Sequence, residues 1–119
     1  MAQHNDLGRQ GELLAQKYLN QNGYQILETN WQYRHAEIDI LAIKENILAV
    51  VEVKTRTSEH YGKPEAFVSK KKIKLLMEAV NHYVEIKNLD VEIRFDIIAI
   101  IKNQYREDIE HLENAFLWY

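Results

Sequence analysis

The chain predicts an α/β domain of order αβββαβ, a mixed central sheet flanked by helices, and three observations predict it. Two long segments carry apolar residues at three-to-four spacing, as amphipathic helices do. Four shorter segments alternate or run apolar over strand lengths. The second helical segment lies between two of these strands, and a strand-helix-strand crossover sets its strands parallel. At 119 residues the chain is expected to form one domain, 1–119, with a single core.

The first helix is expected from roughly Asp6 to Asn22, where Leu7, Gly11, Leu14, Ala15, Tyr18 and Leu19 fall on one stripe. Gly23 supplies its stop, and Glu12 borders the stripe. Gly8 and Gly11 each cost a helix about 1 kcal/mol relative to Ala, so each is expected where another backbone packs closely. Tyr24 to Thr29 reads as a strand, followed by two more, Glu37 to Ile43 and Ile47 to Val53, around a two-residue turn at Glu45-Asn46. Thr55 to Pro64 turns polar and reads as a mobile loop. A second helix is expected from Ser69, its N-cap, to near Asn88, with Ile73, Leu76, Met77, Val80 and Val84 inward. Val91 to Ile101 alternates and then becomes wholly apolar, as a strand entering the sheet interior does. A polar turn near Asn103 and a short element from Ile109 to Leu112 follow. The aromatic tail Ala115 to Tyr119 is expected to cover a sheet edge or a partner subunit.

Composition narrows the function classes. A hydrophobic content of 46% and a charged content of 28% are those of a soluble globular protein. No apolar run approaches the roughly 18 residues of a membrane span, and Asp6, Arg9 and Glu12 interrupt any signal-peptide core, so the reading is a cytoplasmic protein with no membrane partner. The absence of cysteine excludes disulfides and thiolate metal sites. Net charge is −3, yet Lys54 to Lys74 holds seven Lys/Arg against Glu59 and Glu65, leaving the rest of the chain strongly acidic. Such a basic segment can serve a phosphate-binding face if its charges converge in space.

The chemistry centres on Asp39 and the triad Glu52-Val53-Lys54. Burying these charges in a sheet costs several kcal/mol each unless they are paired or ligate a metal. With the turn at Glu45-Asn46, Lys44 would face Ile47, Asp39 would face Glu52, and Glu37 would face Lys54. Opposed residues share a face with Cβ atoms about 5 Å apart, close enough for two carboxylates to hold one Mg²⁺ or Mn²⁺. Lys70, Lys71, Lys72 and Lys74 crowd a helix N-terminus, where like-signed charge is unfavourable, which together with Arg56 points to nucleic-acid phosphates. His35, His60, His4, His82 and His111 read as surface residues, and Arg94 with Asp96 as a salt bridge. Trp31, Tyr33 and Tyr61 are given no role.

This arrangement resembles the PD-(D/E)XK nuclease superfamily, the restriction-endonuclease-like fold, in which an acid precedes an acid-x-lysine motif on the adjacent strand. More closely, Glu37-Ile38-Asp39-Ile40-Leu41-Ala42, Val51-Glu52-Val53-Lys54-Thr55-Arg56, Arg94-Phe95-Asp96 and Asn114-Ala115-Phe116 resemble the YraN family of predicted endonucleases, over nearly the whole chain. Ala36 departs from the glycine usual before Glu-Ile-Asp. The resemblance implies a Mg²⁺- or Mn²⁺-dependent endodeoxyribonuclease acting on DNA, branched or repair and recombination intermediates among its substrates. It implies Asp39, Glu52 and the Val53 carbonyl as metal ligands, Lys54 as the catalytic lysine, and Glu12, by likeness to the first-helix glutamate of Holliday-junction-resolvase-like relatives, as a further catalytic or metal-shell residue. Symmetric cutting of two strands needs two centres, so a homodimer is a candidate assembly. The competing reading is a non-catalytic nucleic-acid- or protein-binding module that retains the fold, against which the intact Asp39, Glu52 and Lys54 speak.

Overall fold

The computed structural model of the protein describes residues 2–59, 62–63 and 68–115. In chain order these form α1 (Ala2–Gln21), β1 (Gln25–Tyr33), β2 (Ala36–Lys44), β3 (Ile47–Arg56), α2 (Lys70–Lys87), β4 (Glu92–Lys102) and β5 (Glu107–Leu112). The five strands make one sheet in sequential order, antiparallel throughout except for β3 and β4, which run parallel because α2 carries the chain back between them. The expected αβββαβ order is present, extended by β5 on the far edge.

The helix ends follow their local chemistry. α1 stops where Gly23 takes φ +89°, and the N–H of Tyr24 donates to the Leu19 carbonyl at 2.9 Å. Ser69 caps α2 by accepting from the Lys72 N–H at 3.1 Å, and Asn88 ends it in the left-handed region at φ 52°. The first three strands run longer than expected: β1 continues four residues past Thr29, through Asn30 at φ 50°, a backbone that most residues would resist.

Each face of the sheet carries its own core. On one, Ile73, Leu76, Ala79, Val80 and Tyr83 of α2 pack on Ile38, Leu41, Leu48, Val50, Phe95 and Ile97. On the other, Ala15 and Leu19 of α1 pack on Ile40, Ala42, Ala49, Val51, Ile98 and Ile100. At Gly11 α1 lies close against β3: a Cβ there would lie 2.8 Å from the Cβ and 2.9 Å from the Cγ2 of Thr55, and closer still to its hydroxyl. Gly8 meets nothing within 4 Å, so only one of the two helical glycines is explained by close packing. No described helix is long and apolar enough to cross a membrane. Ala115 ties back to β4 by donating to the Phe95 carbonyl at 2.8 Å. The aromatic tail from Phe116, together with His60, Tyr61 and Pro64 of the polar loop and Glu65 after it, lies outside the described residues.

Candidate metal centre

The site forms where two strands part. From the turn, in which Glu45 takes φ 56°, β2 and β3 pair in the expected register, Lys44 opposite Ile47 and so on to Ile40 opposite Val51. There the ladder ends, while the parallel pairing of β3 with β4 continues to Arg56 opposite Ile101. The expected continuation, Asp39 facing Glu52 and Glu37 facing Lys54, is replaced by a notch. Asp39 fills it, its Oδ2 accepting the Val53 N–H at 2.9 Å where a β2 carbonyl would otherwise serve. The side-chain alternation of β2 changes phase here: Ala36 and Ile38 belong to the α2-side core, Ile40 and Ala42 to the α1-side core. That change turns the Asp39 carboxylate sideways, toward β3.

Glu52 follows on β3 and is 6% exposed. Its Oε2 meets two ammonium groups, Lys54 Nζ at 3.3 Å and Lys72 Nζ at 2.6 Å. Lys54 comes from its own strand, two residues on and therefore on the same face. Lys72 comes from the first turn of α2. Glu12 approaches from α1, its Oε1 accepting from Asn30 Nδ2 at 3.2 Å. In the β1–β2 register Asn30 falls between the pairs Thr29–Ile40 and Trp31–Ile38, which sets it beside Asp39.

Electrostatics single out Asp39. Burial above all, then the negative charges of Glu52 and Glu12, push its carboxyl up to about 7 from the usual 3.8; the Val53 N–H and the Lys72 ammonium pull the other way without matching them. A buried carboxyl raised by its own burial and by neighbouring carboxylates is one that a hard cation would relieve. The donor set fits a divalent ion of the Mg²⁺ class: two carboxylates from Asp39 and Glu52, and the Val53 carbonyl, which belongs to the same strand end. Among the described residues no group of three or more His, Asp or Glu side chains converges as a metal cage. Mg²⁺ needs none, because it binds through one or two carboxylates and keeps several waters or substrate oxygens.

The site opens into two clefts. One of about 340 Å³ is lined by Asp39, Lys72, His35, Glu37, Leu75 and Leu76. The other, about 380 Å³, lies along the end of β3 and includes Lys54, Arg56, Ser58, Lys63, Ala99 and Glu110. Arg56 donates through Nη1 to the Gly62 carbonyl at 2.7 Å, fastening part of the polar loop over this second cleft. Of the lysines expected on a phosphate-binding face, Lys70, Lys71 and Lys74 are exposed around the first turn of α2, whereas Lys72 turns inward to Glu52.

A second polar cluster lies across the sheet. Asp96 is fully buried and accepts from Arg94 Nε at 2.9 Å, Arg94 Nη2 at 2.7 Å and the Asn114 N–H at 3.0 Å, with His111 Nε2 at 2.8 Å. Burial alone would raise its carboxyl, but the bonds from His111, Arg94 and Asn114 together hold it below the usual range. The expected Arg94–Asp96 salt bridge is thus present within a larger network that Tyr18 joins through His111, at 3.1 Å, and Tyr24 through Arg94. His111, expected at the surface, has a side chain only 7% exposed because β5 lays it beside Ile98, toward α1. Trp31 and Tyr33 are structural covers: Trp31 packs edge-on to Tyr83, and Tyr33 stacks on His82.

A mixed five-stranded sheet between two helices, with an acid-x-lysine strand at its centre and a second acid on the neighbouring strand, defines a restriction-endonuclease-like α/β domain. Residues 11–100 match the model of the uncharacterised protein family UPF0102. The chain belongs to this family, UPF0102 or YraN. It is 58% identical over 116 residues to the UPF0102 protein FP2501 of Flavobacterium psychrophilum, covering 98% of each chain. It is 53% identical over 119 residues to a UPF0102 protein of Christiangramia forsetii, covering both completely, and 44% identical to one of Bacteroides thetaiotaomicron, over 98% of this chain and 96% of that one.

Proposed function

We propose that this protein is a Mg²⁺- or Mn²⁺-dependent endonuclease that hydrolyses phosphodiester bonds in DNA, including branched or repair and recombination intermediates. The observation that carries the proposal is the notch between β2 and β3, where Asp39 is fixed on the Val53 N–H beside the buried Glu52 and its lysine neighbour Lys54. Two acids and a lysine crowded at a strand end, beside a cleft bearing Arg56 and Lys63, suit a phosphodiester more than a neutral substrate.

Asp39, Glu52 and the Val53 carbonyl would hold the ion. When bound, it supplies Lewis acidity to the phosphate and lowers the pKa of its water. Lys54 would orient an attacking water and offset charge that builds on the phosphate oxygens. Asp39, neutral in part near pH 7, must give up its proton to serve as a ligand, so activity should rise with pH through the neutral range. Glu12 acts at one remove, through Asn30 and through its charge on Asp39. Arg56, Lys70, Lys71 and Lys74 would meet the flanking phosphates, so binding should weaken steeply with added salt.

The test is cleavage of labelled single-stranded, duplex, flap and four-way-junction DNAs with Mg²⁺, Mn²⁺ or EDTA, by the natural protein, Asp39→Ala and Lys54→Ala. Metal-dependent cutting that both substitutions abolish supports the proposal and identifies the preferred DNA structure. Binding of DNA without cutting by the metal-loaded protein points instead to a module that has kept the fold without the reaction.

A further inference from the structure

Lys72 is the residue whose position its charge least prepares for. It belongs to the basic run Lys70-Lys71-Lys72 and Lys74, yet those three neighbours are exposed and Lys72 alone of the four reaches the buried Glu52, at 2.6 Å. Helix periodicity explains the difference. Counting from Lys72, positions four, seven and eleven further on are Leu76, Ala79 and Tyr83, all buried against the sheet, so Lys72 is the first residue of the apolar stripe. Its side chain nonetheless remains 37% exposed and lines the cleft next to Asp39. A charged group on the core-facing stripe with a route to solvent can occupy two places, one on Glu52 and one in the cleft.

The Glu52 carboxylate that receives Lys72 is one that the proposed function requires for a cation. Lys54 stands 3.3 Å from the oxygen that Lys72 meets, but it is fixed by its own strand and is 25% exposed. Of the two ammonium groups, that of Lys72 is the closer and the more exposed, and it is delivered by a separate element. Two ammonium groups and a divalent ion gathered on one carboxylate repel one another strongly, and of the two ammonium groups Lys72 has the way out.

Resting on the metal-dependent reading above, we propose that Lys72 is a latch: it holds Glu52 in place in the metal-free protein, and on metal binding it releases Glu52 and turns into the cleft, where its ammonium is available to a substrate phosphate. Lys72 is therefore a positioning residue rather than a metal-site ligand. A latch closed about nine times in ten would weaken the apparent affinity for the ion about tenfold, because only the open fraction is competent. Opening the latch from α2 also ties the first turn of that helix to the loading of the site.

The experiment measures Mn²⁺ affinity by calorimetry on the full chain, comparing the natural protein with Lys72→Met and Lys72→Gln, with Lys87→Met, exposed at the far end of α2, as a surface control. The expected result is about tenfold tighter binding by either Lys72 variant and no change in the control. A second measurement needs no variant: acylation of lysines, quantified by mass spectrometry, should show Lys72 protected in EDTA and several-fold more reactive with Mn²⁺, with Lys70 and Lys74 unchanged. Unchanged or weaker Mn²⁺ binding by the Lys72 variants, or Lys72 reactivity indifferent to a metal that does bind, overturns the latch and leaves the nuclease reading standing. Absence of Mn²⁺ binding in every form overturns both.

Discussion

Replacing Asp39 with asparagine should stabilise the metal-free protein, and the gain should depend on pH. The unfolded chain titrates Asp39 near 3.8, the folded one near 7. The stability associated with the neutral carboxyl is fully present below 3.8, is lost progressively as pH rises, and is gone above about 7. Moving a carboxyl over that interval corresponds to on the order of 4 kcal/mol, at about 1.36 kcal/mol per pH unit. The amide of the asparagine side chain would keep an oxygen for the Val53 N–H and carry no charge beside Glu52 and Glu12. Chemical denaturation in EDTA should therefore find Asp39→Asn and the natural protein similar at about pH 4. By about pH 8 the variant should lead by roughly 3–4 kcal/mol, or about 10–15 °C in Tm for a domain of this size. Excess Mg²⁺ at that higher pH should narrow the lead by stabilising only the natural protein. A difference between the two proteins that stays constant across this pH range would refute the electrostatic account of the notch.

Three further substitutions test the scaffold. Gly11→Ala should cost about 1–3 kcal/mol in denaturant melts, since the added Cβ meets the Cβ and Cγ2 of Thr55 as well as its rotatable hydroxyl; the double variant with Thr55→Gly should recover most of it. Asp96→Ala strips the partner from the partly buried Arg94 and from His111, and should cost about 3–5 kcal/mol by thermal or chemical unfolding. Glu45→Gly removes a side chain from an exposed turn residue at φ 56°, so it should raise stability by about 1 kcal/mol without altering metal affinity.

The framework is legible because its signals are local and periodic. Ser69 and Asn88 at the ends of α2, Gly23 after α1 and the two-residue turn at Glu45-Asn46 each act within a few residues, and each lies where the chain chemistry says it should. β5 is legible only in part: Glu107 and Asp108, at its start, are exposed and polar, and their strand character comes from pairing with Lys102 and Ile101. β1 past Asn30 escapes a sequence reading for a related reason, because a left-handed residue ordinarily ends a strand and here only bends one. The polar network around Asp96 needs tertiary information, since His111 and Arg94 meet there only after β5 folds back on β4.

The site shows the same division at finer scale. That Asp39, Glu52 and Lys54 would gather follows from strand spacing and a hairpin turn. That the ladder would stop at Ile40–Val51, leaving a notch instead of a flat facing pair, does not. Lys72 is the instructive intermediate. Its charge groups it with Lys70 and Lys71, but its place four residues before Leu76 and seven before Ala79 assigns it to the buried side. Periodicity is the better guide, because a helix has no means of turning one residue outward against its neighbours. A lysine on the apolar stripe comes within reach of an acid on the sheet, and Glu52 is the buried acid that receives it. The Asp96 network bears on the same point from behind: Asp96 is paired with Val51 of β3, immediately before Glu52. By tying β4 to β5 and α1, it braces β3 on that side and leaves only the β2 side open. A strand braced on one edge and released on the other can present its backbone and its acids to a cation without unravelling, and it is this asymmetry, more than any one ligand, that makes the notch a site.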